Sequence, residues 1–289
     1  MTLRITIDIF SGRPNPVIEV DGKRAREILE RLQPAKQLRG RAAAPLEFRL
    51  GYRGLVIEQT AAPSRAFPRM FRVVAGAIYG PELAHAVADP QVEEFFAKGL
   101  GSKAREGRGF LRLLQRQIGL VKQFERPLKL PPFPRPIIHS CRCAPLYEPA
   151  WWNDGGQKQL NNNCYNYATN YRTDTFAQPG RASGAMYTAL TCASVRPAAV
   201  ADALIASPGA NNKCPTEGHL VALVIWPGWD FHWYRKGRNG RWSHKPGSTP
   251  VTNLDNSGHL ITDPRTADRG GYTNFCTFMT VMHGHIKIN

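Results

Sequence analysis

Residues 124–149 constrain this chain more than any other stretch. The segment FERPLKLPPFPRPIIHSCRCAPLYEP is dense in proline. Proline lacks a backbone N–H and fixes φ near about −65°, so neither a helix interior nor an inner strand runs through such a segment. The chain is therefore expected to divide into a module over residues 1–123, an extended linker over 124–149 and a second module over 150–289. Its 289 residues suffice for two ordinary domains. Leu, Phe, Ile and Tyr interleave with the prolines, which suits a linker lying along a partner surface. Laid across a catalytic cleft, it would act as a built-in inhibitor.

The first module reads as α+β. LRITIDIF alternates like a strand, SGRPNP forms a turn and VIEV a second strand. Asp21 is placed to cap a helix reaching about Leu32, with Ala25, Ile28, Leu29 and Leu32 on one face. EFRLGYRGLVIEQ suggests two strands around a glycine break, and FRVVAGAIY one more. Helices are expected over 81–98 and 105–123. Asp8, Ser11, Gly12 and Arg13 form a compact cluster in IDIFSGRPNP. No phosphate-loop pattern accompanies them, so the segment reads as a tight turn between strands.

The second module is expected to be a helix followed by an antiparallel meander. The helix starts between Asn161 and Cys164, and a short one follows over Pro197–Ala206. HLVALVIW is the strongest strand signal in the chain. PGWD turns it into FHWYRK, and GRNG turns that strand into RWSHKP. The closing NFCTFMTVMHGHIKI has strand-like or mixed character. The whole is an α+β chain.

The formal net charge of +16 is uneven. Residues 1–145 hold 25 Lys and Arg against 13 Asp and Glu, while residues 146–289 hold 13 against 9. A basic first half attracts an acidic partner. No nucleic-acid motif accompanies the charge, so it reads as an Arg-rich surface of the kind a high-GC genome encodes. No apolar run reaches the roughly 20 residues that span a bilayer. MTLRITIDIF also lacks the parts of a signal peptide. A cytoplasmic protein with reduced thiols and no membrane association is therefore expected.

The stretch Asn161–Asn170, NNNCYNYATN, crowds amides and tyrosines around Cys164. A cysteine nucleophile needs a thiolate, a base and oxyanion donors. Asn163 is a candidate cap and donor, and Gln159 a second candidate donor. Downstream strands carry His219, His232 and His244. The hairpin turning at GRNG sets the strands of His232 and His244 side by side, so one imidazole can act as base while the other orients it.

N-C-Y-N-Y-A resembles the cysteine helix of the CHAP-type amidases of the papain-like superfamily, and G-H-L-V-A-L-V resembles their histidine strand. The resemblance covers about residues 155–250. It implies a papain-like catalytic domain acting on a peptide or protein through amide or thioester chemistry, without cofactor or metal. By resemblance the base is His219, with His232 or His244 as orienter; by local geometry it is His232 with His244. The chain departs from the papain pattern in having no glutamine six residues before the cysteine. DFHWYRKGRNGRWSHKPG also resembles a block found in uncharacterised bacterial proteins. The alternatives are a non-enzymatic protein whose aromatic-rich β domain binds a peptide or glycan through Trp226, Trp229, Trp233 and Trp242, or a protein whose basic half binds nucleic acid, with an affinity that falls steeply with salt. His139, Cys141 and Cys143 in HSCRC, with His283 and His285, lack the spacing of a structural zinc site.

Overall fold

The computed structural model describes residues 1–37, 47–80, 84–87, 89–100, 107–122 and 141–289. Residues 123–140, which hold most of the proline-rich linker and His139, lie outside that set, as does the inhibitory path expected of the linker. Two compact units emerge. One comprises Met1–Ile9, Asn15–Leu46 and Tyr52–Pro127; the other comprises Phe10–Pro14, Glu47–Gly51 and Leu128–Asn289. Sequence reasoning assigned everything before residue 124 to one module, whereas two short N-terminal segments group with the C-terminal unit.

The first unit is built on an antiparallel sheet. Its elements are β1 (Thr2–Asp8), β2 (Val17–Asp21), α1 (Gly22–Arg31), β3 (Pro34–Gln37), β4 (Gly54–Ala61), β5 (Met70–Val74), β6 (Ala77–Tyr79), β7 (Ala84–Val87), α2 (Val92–Leu100) and α3 (Gly107–Lys122). The strand order is β2-β1-β4-β5-β6-β7-β3. Ile57 on β4 lies in register with Ile5 on β1 and Phe71 on β5, and all three are buried. Alternation of apolar and polar residues thus places one face of the sheet in the core. Ala25, Ile28 and Leu29 bury one stripe of α1. Asp21 stands at its N-cap, but its side chain makes no capping bond.

Three local expectations are corrected. FRVVAGAIY is a hairpin, β5 and β6, rather than one strand. Ala75 and Gly76 take φ of 51° and 69°, the positive pair that a two-residue turn requires. EFRLGYRGLVIEQ yields a single strand, β4, because residues 47–51 form turns and bends. The helix expected over 81–98 is strand β7 followed by α2. Pro90 disfavours helical geometry at Asp89, so the helix begins only beyond it.

The second unit carries α4 (Pro149–Trp152), α5 (Gln157–Asn161), α6 (Cys164–Thr169), α7 (Cys192–Ala201), β8 (Ile205–Ala206), β9 (His219–Trp226), β10 (Asp230–Lys236), β11 (Trp242–His244) and β12 (Asn274–Val281). The antiparallel sheet runs β11-β10-β9-β12-β8. Every residue of β9 is buried, as a continuous apolar run in a central strand demands. The core joins Cys164, Tyr165 and Ala168 of α6 to Val221, Leu223 and Ile225 of β9, with Phe231 and Trp233 of β10. α7 starts earlier than expected because Thr191 caps it, its side chain accepting from Ser194 N.

The expectation of reduced thiols is overturned. Cys141 is bonded to Cys214 and Cys192 to Cys276, which leaves Cys143 and Cys164 free.

Candidate functional site

Two asparagines fix the N-terminus of α6. The Asn163 side chain accepts from Tyr165 N at 2.9 Å and Asn166 N at 3.1 Å, while Asn166 Oδ1 accepts from Asn163 N at 3.1 Å. This is a capping box made of amides. Asn163 Nδ2 donates to Gly12 O at 2.7 Å and Ala177 O at 2.8 Å. Asn163 is therefore a cap and a clamp on the Gly12 turn, with its donors already engaged. The Gln159 side chain is likewise committed, accepting from Gly155 N and donating to Ser248 O.

The turn that Asn163 grips is the SGR segment. Its backbone N–H groups at Ser11, Gly12 and Arg13 all donate to the Asp230 carboxylate, at 2.5, 3.1 and 2.9 Å. Tyr272 OH adds a fourth donor at 2.5 Å. Gln178 Nε2 donates to Gly12 O at 2.8 Å. A Cβ on Gly12 would collide with the ring and carbonyl of Phe231, so only glycine fits there.

Ser11 so placed reaches a directed chain of hydrogen bonds. Ser11 Oγ lies 2.6 Å from His232 Nδ1, His232 Nε2 lies 2.9 Å from His244 Nδ1, and His244 Nε2 lies 2.9 Å from Leu254 O. A carbonyl only accepts, so His244 Nε2 carries a proton. With both rings neutral, His244 Nδ1 then accepts from His232 Nε2, and His232 Nδ1 accepts from the Ser11 hydroxyl. Gly247 N donates to Ser11 Oγ at 3.2 Å. The histidines meet because β10 and β11 pair Tyr234 with His244, which sets His232 diagonally across on the same face.

Cys164 borders this chain and is fully buried. Burial pushes its thiol well above the usual cysteine range, and the Asp230 charge adds to the rise. The Trp233 amide, the Ser11 hydroxyl and the Lys245 charge act in the opposite direction without prevailing. The thiol is protonated at neutral pH, which is the opposite of an activated nucleophile.

The structure thus brings Cys164, His232 and His244 around Ser11 and leaves His219 apart. His219 Nε2 lies 2.7 Å from Ala168 O and donates to it, near the C-terminal end of α6. Its Nδ1 has no hydrogen-bond partner among the described residues. Burial pushes its pKa down to about 3 from an ordinary value of 6.5. His219 therefore stays neutral when folded and takes up a proton when unfolded, so its contribution to stability is lost as pH falls from about 6.5 toward 3. His219→Gln keeps a donor without titrating. Denaturant midpoints are expected to fall less for the variant than for wild type between pH 7 and pH 4.5. Parallel falls would contradict this role.

Ser11 and Asp230 are the residues that sequence reasoning missed. The only trace was the compactness of Asp8, Ser11, Gly12 and Arg13. Of the tryptophans proposed as anchors, Trp226, Trp233 and Trp242 are buried in the core and Trp229 is half-buried, while Trp151, not among them, is 56% exposed. Among the described residues, no group of three His, Cys, Asp or Glu is placed to hold a metal, and no helix is long and apolar enough to cross a membrane.

No known family profile and no solved structure matches the chain. It is 49% identical over 142 residues to insoluble matrix shell protein 1 of Ruditapes philippinarum, an alignment that covers 48% of this chain and 91% of the relative. That finding overturns the expectation of a cytoplasmic, bacterial thiol protease. The relative is a shell matrix protein of a clam, and a shell is laid down outside the cell. Two disulfides agree with an oxidising setting. At this identity, and with nearly all of the relative covered, the chain belongs to the family of insoluble matrix shell protein 1.

Proposed function

We propose that this chain is a structural component of an extracellular matrix, a basic and disulfide-braced protein rather than an enzyme in its folded state. One observation carries the reading: Cys164, Ser11, His232 and His244 are all fully buried, and each is engaged with internal partners. A buried polar network in which every member is satisfied rigidifies and specifies a core. The relative's name supports the same reading. The net charge of +16 fits an acidic macromolecular partner, with binding that weakens as salt rises.

The test is alkylation of the native protein with iodoacetamide at neutral pH, followed by peptide mapping. Exposed Cys143 is expected to react while Cys164 stays unmodified until denaturant is added. Rapid native modification of Cys164 would overturn the reading. It would instead favour a second one, supported by the convergence of Cys164, His232 and His244 on Ser11: amide or thioester chemistry at Cys164 once the SGR segment is displaced.

A further inference from the structure

Three of the six cysteines gather at one place in the second unit. Cys141 and Cys214 are bonded; Cys141 is buried and Cys214 half-buried. Cys143, two residues beyond Cys141, is exposed and unbonded. Its thiol donates to Thr216 O at 3.6 Å, and Thr216 lies two residues beyond Cys214. The two segments therefore run alongside each other, Cys141 meeting Cys214 and Cys143 meeting Thr216. His283 Nε2, 3.0 Å from Cys143 O, ties the free-thiol loop to the end of the chain. The free thiol thus lies two residues from one half-cystine along its own segment and contacts a carbonyl two residues from the other, a placement that exchange can use, because a thiolate attacks a disulfide sulfur directly.

We propose that Cys141, Cys143 and Cys214 form a thiol–disulfide exchange site. The Cys143 thiol loses its proton to solvent and its thiolate attacks Cys214 Sγ. The Cys143–Cys214 bond forms, the Cys141–Cys214 bond breaks, and the electron pair leaves on Cys141 sulfur, which takes up a proton. One disulfide replaces another, so no oxidant or reductant is consumed. The chain alternates between a form that presents an exposed thiol at Cys143 and a form that withdraws the free thiol to buried Cys141. An incoming small thiol or disulfide meets only the first form. The proposal goes beyond the matrix reading and does not depend on it, since the sulfurs involved are not those of the Ser11 site.

The experiment is disulfide mapping of the full chain. Oxygen-free protein at mildly alkaline pH is quenched with acid, alkylated and digested. Wild type is expected to yield both Cys141–Cys214 and Cys143–Cys214 peptides, and Cys143→Ser only the first. Cys141→Ser, refolded in a buffer of small thiol and disulfide, is expected to form Cys143–Cys214 and to regain wild-type circular dichroism. Wild type that maps to Cys141–Cys214 alone, or folded Cys141→Ser that keeps Cys143 and Cys214 as free thiols, would overturn the proposal. Cys143 is exposed, so its serine variant tests exchange without disturbing the core.

Discussion

Replacing Asp8 with asparagine is expected to destabilise the first unit by about 3–5 kcal/mol, the usual cost of breaking a buried ion pair from one side. Asp8 closes β1 and is 1% exposed. Its carboxylate takes Arg53 Nη2 at 2.5 Å on Oδ1 and Arg72 Nη1 at 2.6 Å on Oδ2, with Asn15 Nδ2 at 3.1 Å. Arg53 is itself fully buried, so removing the carboxylate charge takes from an interior guanidinium the ion pair it makes with Asp8. Burial alone would raise the Asp8 pKa, but the Arg53 and Arg72 guanidiniums outweigh it and hold the carboxyl below its ordinary 3.8. The residue's contribution is therefore complete above about pH 3.8 and is lost as pH falls through the depressed folded value. Denaturant titrations at pH 7 and in acid should show a wide gap between wild type and Asp8→Asn that narrows toward low pH. A gap of less than 1 kcal/mol at pH 7, roughly that of a surface pair, would show that the pair is not a structural charge.

Local chemistry in this chain was legible, and contacts across long sequence separations were not. NNNC announces a cap because an asparagine side chain satisfies helix-end N–H groups wherever it stands. HLVALVIW announces a central strand because an unbroken apolar run needs burial on both faces. The His232–His244 contact was within reach because a short turn fixes the register of adjacent strands. The SGR segment was correctly read as a turn, but nothing local says that its N–H groups close on a carboxylate 217 to 219 residues away. His219 looked like a base because Gly-His opens a strand, yet its partner is a backbone carbonyl, which no side-chain pattern records. The expectation of free thiols rested on compartment, and the bonded cysteines lie 73 and 84 residues apart, where spacing carries no pairing information.

Asp230→Ala is expected to lower stability by a similar amount, about 3–5 kcal/mol. It removes the acceptor shared by the Ser11, Gly12 and Arg13 amides and the Tyr272 hydroxyl, and losing one partner of a buried hydrogen bond costs about 1–3 kcal/mol before relaxation. Its pH signature is the reverse of that at Asp8. Burial raises the Asp230 carboxyl in spite of the four donors. The residue's contribution is thus fullest below about pH 3.8 and declines as pH rises through the raised folded value. The gap between wild type and Asp230→Ala should widen toward acid, where that of Asp8→Asn narrows. A second readout separates the role of Asp230 from general packing. The carboxylate holds the turn that positions Ser11 against His232 and beside Cys164. Losing it should loosen residues 10–14 before the sheet unfolds, a local opening of lower free energy than global unfolding. Native alkylation of Cys164 should then run faster in Asp230→Ala than in wild type, in buffer far below the denaturant midpoint. If Cys164 stays as protected as in wild type while stability falls, Asp230 serves the core alone and the SGR turn is held by Asn163 and Gln178.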